Sequence, residues 1–100
     1  MTVQLHIDRD KIASFCRRWK IIELALFGSV VREDFQPDSD VDVLVSFSDD
    51  AQWSLLDMVD IRDELKDIFA REVDLVEKQA LRNPFRRHSI LTGKEVIYAA

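Results

Sequence analysis

Asp40 and Asp42 stand two residues apart in the segment Asp40-Val41-Asp42-Val43-Leu44-Val45. On a strand, side chains two apart share a face, so both carboxylates project side by side while Val41, Val43 and Val45 take the opposite, core-facing side. Adjacent carboxylates repel, and a cation beside them relieves that cost. Hard oxygen donors suit Mg²⁺, which takes one or two carboxylates and completes its shell with substrate phosphates. Alone, Asp-x-Asp equally describes a strand end dipping into water. Upstream, Gly28-Ser29 follows an apolar run and precedes a short helical turn. Glycine lets the backbone approach a phosphate closely, and helix-start amides with the Ser29 hydroxyl can donate to its oxygens. Alone, Gly-Ser is an ordinary turn.

The elements that must position these residues are legible as an alternation of helices and strands. Asp8 N-caps a helix running to about Lys20, with Ile12, Phe15, Cys16 and Trp19 at helical spacing. Ile21 to Phe27 is an apolar strand ended by Gly28, and Ser29 to Arg32 is the helical turn. Pro37 excludes a helical hydrogen bond from the polar stretch that follows. Val41 to Phe47 alternates with period two. Ser54 N-caps a helix to about Ala70, with Leu55, Met58, Val59, Leu65, Ile68 and Phe69 on its apolar stripe. Val73, Leu75 and Val76 mark a third strand. Asn83-Pro84 opens a helix reaching about Thr92, and Val96 to Tyr98 is a last short strand. The fold class is α/β (α+β): a small mixed sheet flanked by helices, in one domain spanning residues 1–100.

Composition excludes several classes of protein. The 100 residues are 47% hydrophobic, enough to fill a core without staples. A single cysteine, Cys16, excludes a disulfide scaffold or a cysteine zinc ribbon, and it falls on an apolar helical stripe. His6 and His88 have no companions at metal-ligand spacing. No apolar run approaches a membrane span, and Met1 to Lys11 carries charge where a secretion signal is apolar, so a cytoplasmic setting is expected. Net charge is −5, and between Glu33 and Asp74 only Arg62, Lys66 and Arg71 oppose a crowd of acids. Such a chain is a poor sequence-independent binder of nucleic acid. Lys78 to Lys94 is basic; Arg82, Arg86 and Arg87 could meet an acidic partner or a phosphate tail, but read first as a solvated helix face. Trp19 and Trp53 read as packing groups or an exposed contact.

Taken together, Phe27-Gly28-Ser29, ten residues, then Asp40-Val41-Asp42-Val43 resembles the signature of the DNA polymerase β-like nucleotidyltransferase superfamily. The fuller stretches Phe27-Gly28-Ser29-Val30-Val31-Arg32 and Pro37-Asp38-Ser39-Asp40-Val41-Asp42-Val43-Leu44-Val45 are similar to its minimal nucleotidyltransferase family, small domains of about this length. The resemblance implies the polymerase β-like fold, metals held by Asp40 and Asp42, and a third acid on a later strand. Asp74 in Glu72-Val73-Asp74-Leu75-Val76 fills that place, completing the metal site or activating the attacking hydroxyl. Gly28 and Ser29 would seat the β- and γ-phosphates. Arg32 and Ser39 also match: Arg32 could neutralise phosphates or pair with Glu33 or Asp34, and Ser39 could touch substrate, though it reads more readily as a brace for its turn. Glu33 departs from the family, where many members carry glycine, and an added negative charge there could weaken triphosphate binding.

The function this resemblance implies is transfer of a nucleoside monophosphate, AMP from ATP, to a hydroxyl with release of pyrophosphate, using Mg²⁺, two ions by the family's pattern. Members are often antitoxins whose partner is a helical ribonuclease toxin of the HEPN type, and some silence it by adenylylating a tyrosine. The alternative is a binding protein that neutralises its partner by docking alone, with an unused nucleotide site. A small-molecule modifier such as an aminoglycoside adenylyltransferase shares the motif but normally needs an added domain to grip the drug. Which nucleotide is used, and whether the chain pairs with itself, the residues leave open.

Overall fold

The computed structural model describes residues 5–31, 36 and 39–100. Helix α1 (Arg9–Arg18) begins where the Asp8 carboxylate accepts from the Lys11 amide at 3.1 Å. Its Ile12, Phe15 and Cys16 stripe is buried. Strand β1 (Ile21–Phe27) runs into a 3₁₀ turn (Gly28–Val31), and strand β2 (Val41–Phe47) returns antiparallel beside it. Helix α2 (Leu55–Phe69) then crosses over to strand β3 (Val73–Glu77), which lies parallel to β2. A parallel pair requires such a crossover, because no tight turn can return the chain to the same end. A second 3₁₀ turn (Lys78–Ala80), helix α3 (Pro84–Gly93) and strand β4 (Glu95–Ala99) complete the chain, with β4 antiparallel to β1. The sheet order is β3-β2-β1-β4, the expected small mixed sheet flanked by helices.

Local chemistry explains the helix bounds. Ser54 and Asp57 form a reciprocal capping box: the Ser54 hydroxyl accepts from the Asp57 amide at 3.2 Å, and the Asp57 carboxylate accepts from the Ser54 amide at 2.9 Å. α2 stops at Ala70, whose backbone turns left-handed at φ 55°. Asn83 caps α3 by accepting from the Phe85 and Arg86 amides at 3.0 and 3.1 Å, with Pro84 in the first turn.

The two faces of the sheet are covered unequally. On one, α1 and α2 bury Leu24, Leu26, Val41, Val43, Val45 and Val73 beneath Phe15, Ile61, Leu65 and Phe69. On the other, α3 and the segment before it cover a smaller cluster of Ala25, Phe27, Leu44, Leu81 and Ile90. The α2 stripe differs from its sequence reading. Ile61, Leu65 and Phe69 are buried, whereas Leu55 is 82% exposed and Val59 lies at the surface. The reason is angular: Leu55 and Val59 stand roughly a quarter and a third of a turn off the line through Leu65. Cys16 is buried as read, and burial pushes its thiol up to about 12, which leaves it inert as a nucleophile.

Trp19 and Trp53 are packing groups, edge-to-face with ring centroids 5.0 Å apart. The Trp53 indole donates to the Trp19 carbonyl at 2.8 Å, and the Trp19 indole donates to Glu64 of α2. Arg18 pairs with the same carboxylate at 2.7 Å, so Glu64 ties α1 to α2. Burial raises the Glu64 pKa, but the Arg18 and Trp19 donors outweigh it and hold the carboxyl below its ordinary value. A lowered folded-state value stabilises the fold above the unfolded Glu range and loses that contribution as pH falls through the folded value. Glu64→Gln should therefore lower stability near neutrality by no more than about 1 kcal/mol, the range of a solvent-screened pair. Thermal melts should show this deficit shrinking as pH falls from the ordinary glutamate range, about pH 4.3, through the lower folded value at which the wild-type carboxylate itself takes up a proton. A deficit that stays constant across pH would mean the charge of Glu64 contributes nothing.

Candidate active site

Register brings the site together. Phe27 of β1 pairs with Asp42 of β2, and Asp42 pairs with Asp74 of β3. Residues opposite one another on neighbouring strands share a face, so Phe27, Asp42 and Asp74 form one row across three strands. It lies on the α3 side, the face that also carries Ala25, Leu44 and Val76. Asp40 stands two residues before Asp42, exposed and just ahead of β2. Val41 holds this strand entry in place, its amide donating to the Glu72 carbonyl at 2.8 Å.

At the end of β1 the chain enters its 3₁₀ turn through Gly28, whose φ is +71°. A Cβ built there would overlap the Asp42 Oδ2 and sit 3.2 Å from its Cγ. Both the left-handed backbone and the lack of room require glycine. Ser29 follows half-buried, and Val30 and Val31 anchor the turn in the core. Ser39 is a turn brace: its hydroxyl accepts from the Gln36 amide, and its own amide donates to the Gln36 carbonyl, both at 3.0 Å. The Arg71 guanidinium donates to the carbonyls of Gln36 and Ser39 at 2.7 Å each, fastening this turn to the end of α2. Arg32, expected to face phosphates, lies outside the described residues, as do Glu33, Pro37 and Asp38.

A cavity of about 470 Å³ opens beside Gly28 and Asp42. Phe27, Gly28, Val31 and Asp42 form one side, and Arg86, Ser89, Ile90 and Gly93 of α3 form the other. A cleft of this size with convergent polar groups on apolar walls suits a small ligand. Ser89 is what the sequence reading missed, and Arg86, weighed there against a phosphate tail, is placed first on a solvated helix face. Their spacing carried the signal: positions 86, 89, 90 and 93 follow one helical stripe, and Ile90 on it is 6% exposed. Asp74, by contrast, is exposed and outside this cavity. It borders a second one of about 320 Å³ at the sheet edge, with Leu55, Met58, Val59, Arg62, Val73 and Leu75.

Among the described residues, no group of three acidic, histidine or cysteine side chains converges closely enough to hold a metal. The donors nevertheless fit Mg²⁺ in kind. Asp42 and Asp74 present hard oxygens from adjacent strands, and this ion takes one or two carboxylates plus substrate phosphates rather than an all-protein cage. Hydrogen at Gly28 in place of a side chain lets the Asp42 carboxylate lie against the turn.

Comparison with known proteins follows the same residues. The model of the nucleotidyltransferase domain family matches residues 9–97. The protein adenylyltransferase MntA of Thermococcus cleftensis is 35% identical over 81 residues, covering 81% of this chain and 77% of its own. A toxin–antitoxin crystal structure with AMP-PNP superposes with a TM-score of 0.74 at 20% identity, over 94% of this chain and 75% of the other. A complex of the tri-AMPylated Shewanella oneidensis HEPN toxin with an MNT antitoxin superposes with a TM-score of 0.65 at 19% identity, over 92% and 70%. No helix among the described residues is long and apolar enough to cross a membrane.

Gly28→Ala should cost about 1–2 kcal/mol through the left-handed backbone alone, and its methyl must displace the Asp42 carboxylate. Chemical denaturation should register the first effect, and calorimetric titration with ATP the second, as lost affinity. A Gly28→Ala chain that binds ATP as wild type does would place the phosphates elsewhere.

Proposed function

The chain belongs to the nucleotidyltransferase domain family, and from that premise we propose that it is a Mg²⁺-dependent protein adenylyltransferase that moves AMP from ATP onto a tyrosine hydroxyl of a HEPN-type toxin, acting as its antitoxin. The observation that carries this reading is the Gly28 turn pressed against Asp42 with Asp74 next to it in register. Support for the donor comes from the adenylyltransferase name of the Thermococcus relative and from the AMP-PNP in a structure of the same fold. Support for the acceptor comes from the AMPylated HEPN toxin held by a neighbour of the same fold. Leu55, 82% exposed, borders the hollow beside Asp74, and Leu56 next to it in the chain is 77% exposed; such apolar exposure suits a protein surface better than a small solute.

In the proposed reaction the acceptor oxygen attacks the α-phosphorus of ATP. A new phosphorus–oxygen bond forms to the acceptor, the bond to the β-phosphate bridging oxygen breaks, pyrophosphate leaves, and the hydroxyl proton departs. Gly28 and Ser29 seat the β- and γ-phosphates with backbone amides and a hydroxyl. Asp42, with Asp74 beside it on β3 and Asp40 two residues before it, would supply carboxylates to Mg²⁺ alongside the substrate's own phosphates, and the bound ion would neutralise phosphate charge and lower the pKa of the attacking hydroxyl. Asp74, exposed at the sheet edge, orients the incoming hydroxyl and accepts its proton. The sites follow the order of the strands: acceptor at Asp74 on β3, α-phosphate at Asp42 on β2, leaving group at Gly28 just beyond β1.

Two variants test the proposal. Asp40→Asn with Asp42→Asn should abolish AMP transfer to a cognate toxin, read by the toxin's mass, while the chain still melts cooperatively. Asp74→Asn should keep measurable ATP affinity yet lose at least about a hundredfold in transfer rate, the low end for a general base. If Asp74→Asn silences the toxin as well as wild type does, docking alone is the mechanism and the catalytic reading fails.

A further inference from the structure

Arginines in this chain are generally occupied. Arg9 donates to the Ile97 carbonyl, Arg18 pairs with Glu64, Arg62 with Asp63, Arg71 holds Gln36 and Ser39, and Arg87 donates to the Lys78 carbonyl. Among the described residues, the guanidinium of Arg86 has no such partner, although its backbone amide is taken up by the Asn83 cap. Arg86 also lines the 470 Å³ cavity, facing Gly28 and Asp42 across it. It stands one helical turn before Ile90, whose burial fixes how far α3 can rotate. A solvated surface arginine needs no explanation. One that a packed helix presents to a polar cavity, opposite a glycine whose backbone is bared, has its charge directed at something that enters there.

We infer that Arg86, with the Ser89 hydroxyl one turn along, is the α3 contact for the polyphosphate of the bound nucleotide. This rests on the proposed function, because it takes the phosphates to lie at Gly28 and Ser29. A guanidinium presents a planar fork of N–H donors matching two oxygens of one phosphate or of neighbouring phosphates. The chain is acidic, with net charge −5, and Asp42 already stands in the cavity, so a triply or quadruply charged anion requires a cation from the protein as well as any metal. The opposite wall supplies amides and a carboxylate, and α3 supplies the positive charge. The cavity thereby closes around the phosphates from both sides.

Arg82 provides the control. It is also exposed and, among the described residues, without a partner for its guanidinium, but it does not line the cavity. Arg86→Ala and Arg82→Ala remove the same charge from the same part of the chain. Titrating ATP with Mg²⁺ into both by calorimetry should weaken binding about tenfold or more for Arg86→Ala, as for loss of hydrogen bonds to a charged group, and leave Arg82→Ala unchanged. Arg86→Lys should fall between, since it keeps the charge but not the fork. Inorganic tripolyphosphate should show the same loss as ATP, whereas a loss confined to ATP would place Arg86 on the base or ribose and overturn the assignment. Equal affinities for wild type and Arg86→Ala, or equal losses for both alanine variants, would also overturn it. A wild-type chain that binds ATP with this Arg86 dependence but transfers no AMP would leave the assignment standing and remove only the proposed reaction.

Discussion

The close approach of the Gly28 backbone to the Asp42 carboxylate is the constraint on which the rest of the site depends. It exists because β1 and β2 pair with Phe27 opposite Asp42, so that the first residue beyond β1 turns directly over that carboxylate. A register slip of one residue would exchange every side chain of β2 between faces, sending Val41 and Val43 toward α3 and Asp42 into the core. The core prevents this. Val41, Val43 and Val45 are fully buried beneath α1 and α2, each contributing on the order of 1.5–3 kcal/mol, and none of that survives the slip. Thus the hydrophobic face fixes the chemistry of the opposite one. Gly28 meets the remaining demand, since only glycine combines the left-handed backbone with so close an approach to the Asp42 carboxylate.

The unequal covering of the two faces explains where a ligand can enter. Two helices seal one side of the sheet. On the other, α3 packs through Ile90, with Leu81 just before it, over a small patch of β1 and β2. Among the described residues, the apolar packing of α3 stops short of Asp42 and Gly28, and the cavity is the gap between them and that helix. A larger apolar residue at Ser89 or Gly93 would extend the core and close the gap. Small and polar residues on this stretch of α3 are what keep it open.

The strands and the three helices were legible because each rests on a local rule: period two for β2, capping residues at Asp8, Ser54 and Asn83, and a proline opening α3. Adjacency was not. That Asp74 stands in register with Asp42 follows from a parallel pairing made only after α2 has crossed over, and no local pattern encodes register between strands so far apart. Arg86 illustrates the same limit. Its neighbours Arg82 and Arg87 make the segment read as a solvated basic face; Arg86 is itself exposed, and only the docking of Ile90 puts it on the cavity wall. The α2 stripe was misread for an angular reason: Leu55 and Val59 continue the apolar composition of the helix but not its line, and composition alone does not separate a core position from an exposed one.

That exposed pair bears on how the proposed reaction would be arranged in space. A phosphoryl group passes between oxygens that lie roughly in line on opposite sides of phosphorus. On the proposed reading the sheet supplies such a line, because Phe27, Asp42 and Asp74 succeed one another across β1, β2 and β3 on one face, with Gly28 turning over Asp42 just beyond β1. The cavity under α3 lies toward β1, where a leaving pyrophosphate would be held. The opposite end of the row is the edge strand, beyond which Leu55, Met58 and Val59 border a separate hollow beside Asp74. Leaving pyrophosphate and incoming acceptor would then lie on opposite sides of the α-phosphorus without competing for one pocket. A domain of this size needs no second lobe to bring the acceptor in, provided the acceptor is itself a protein with a surface to lay against that edge.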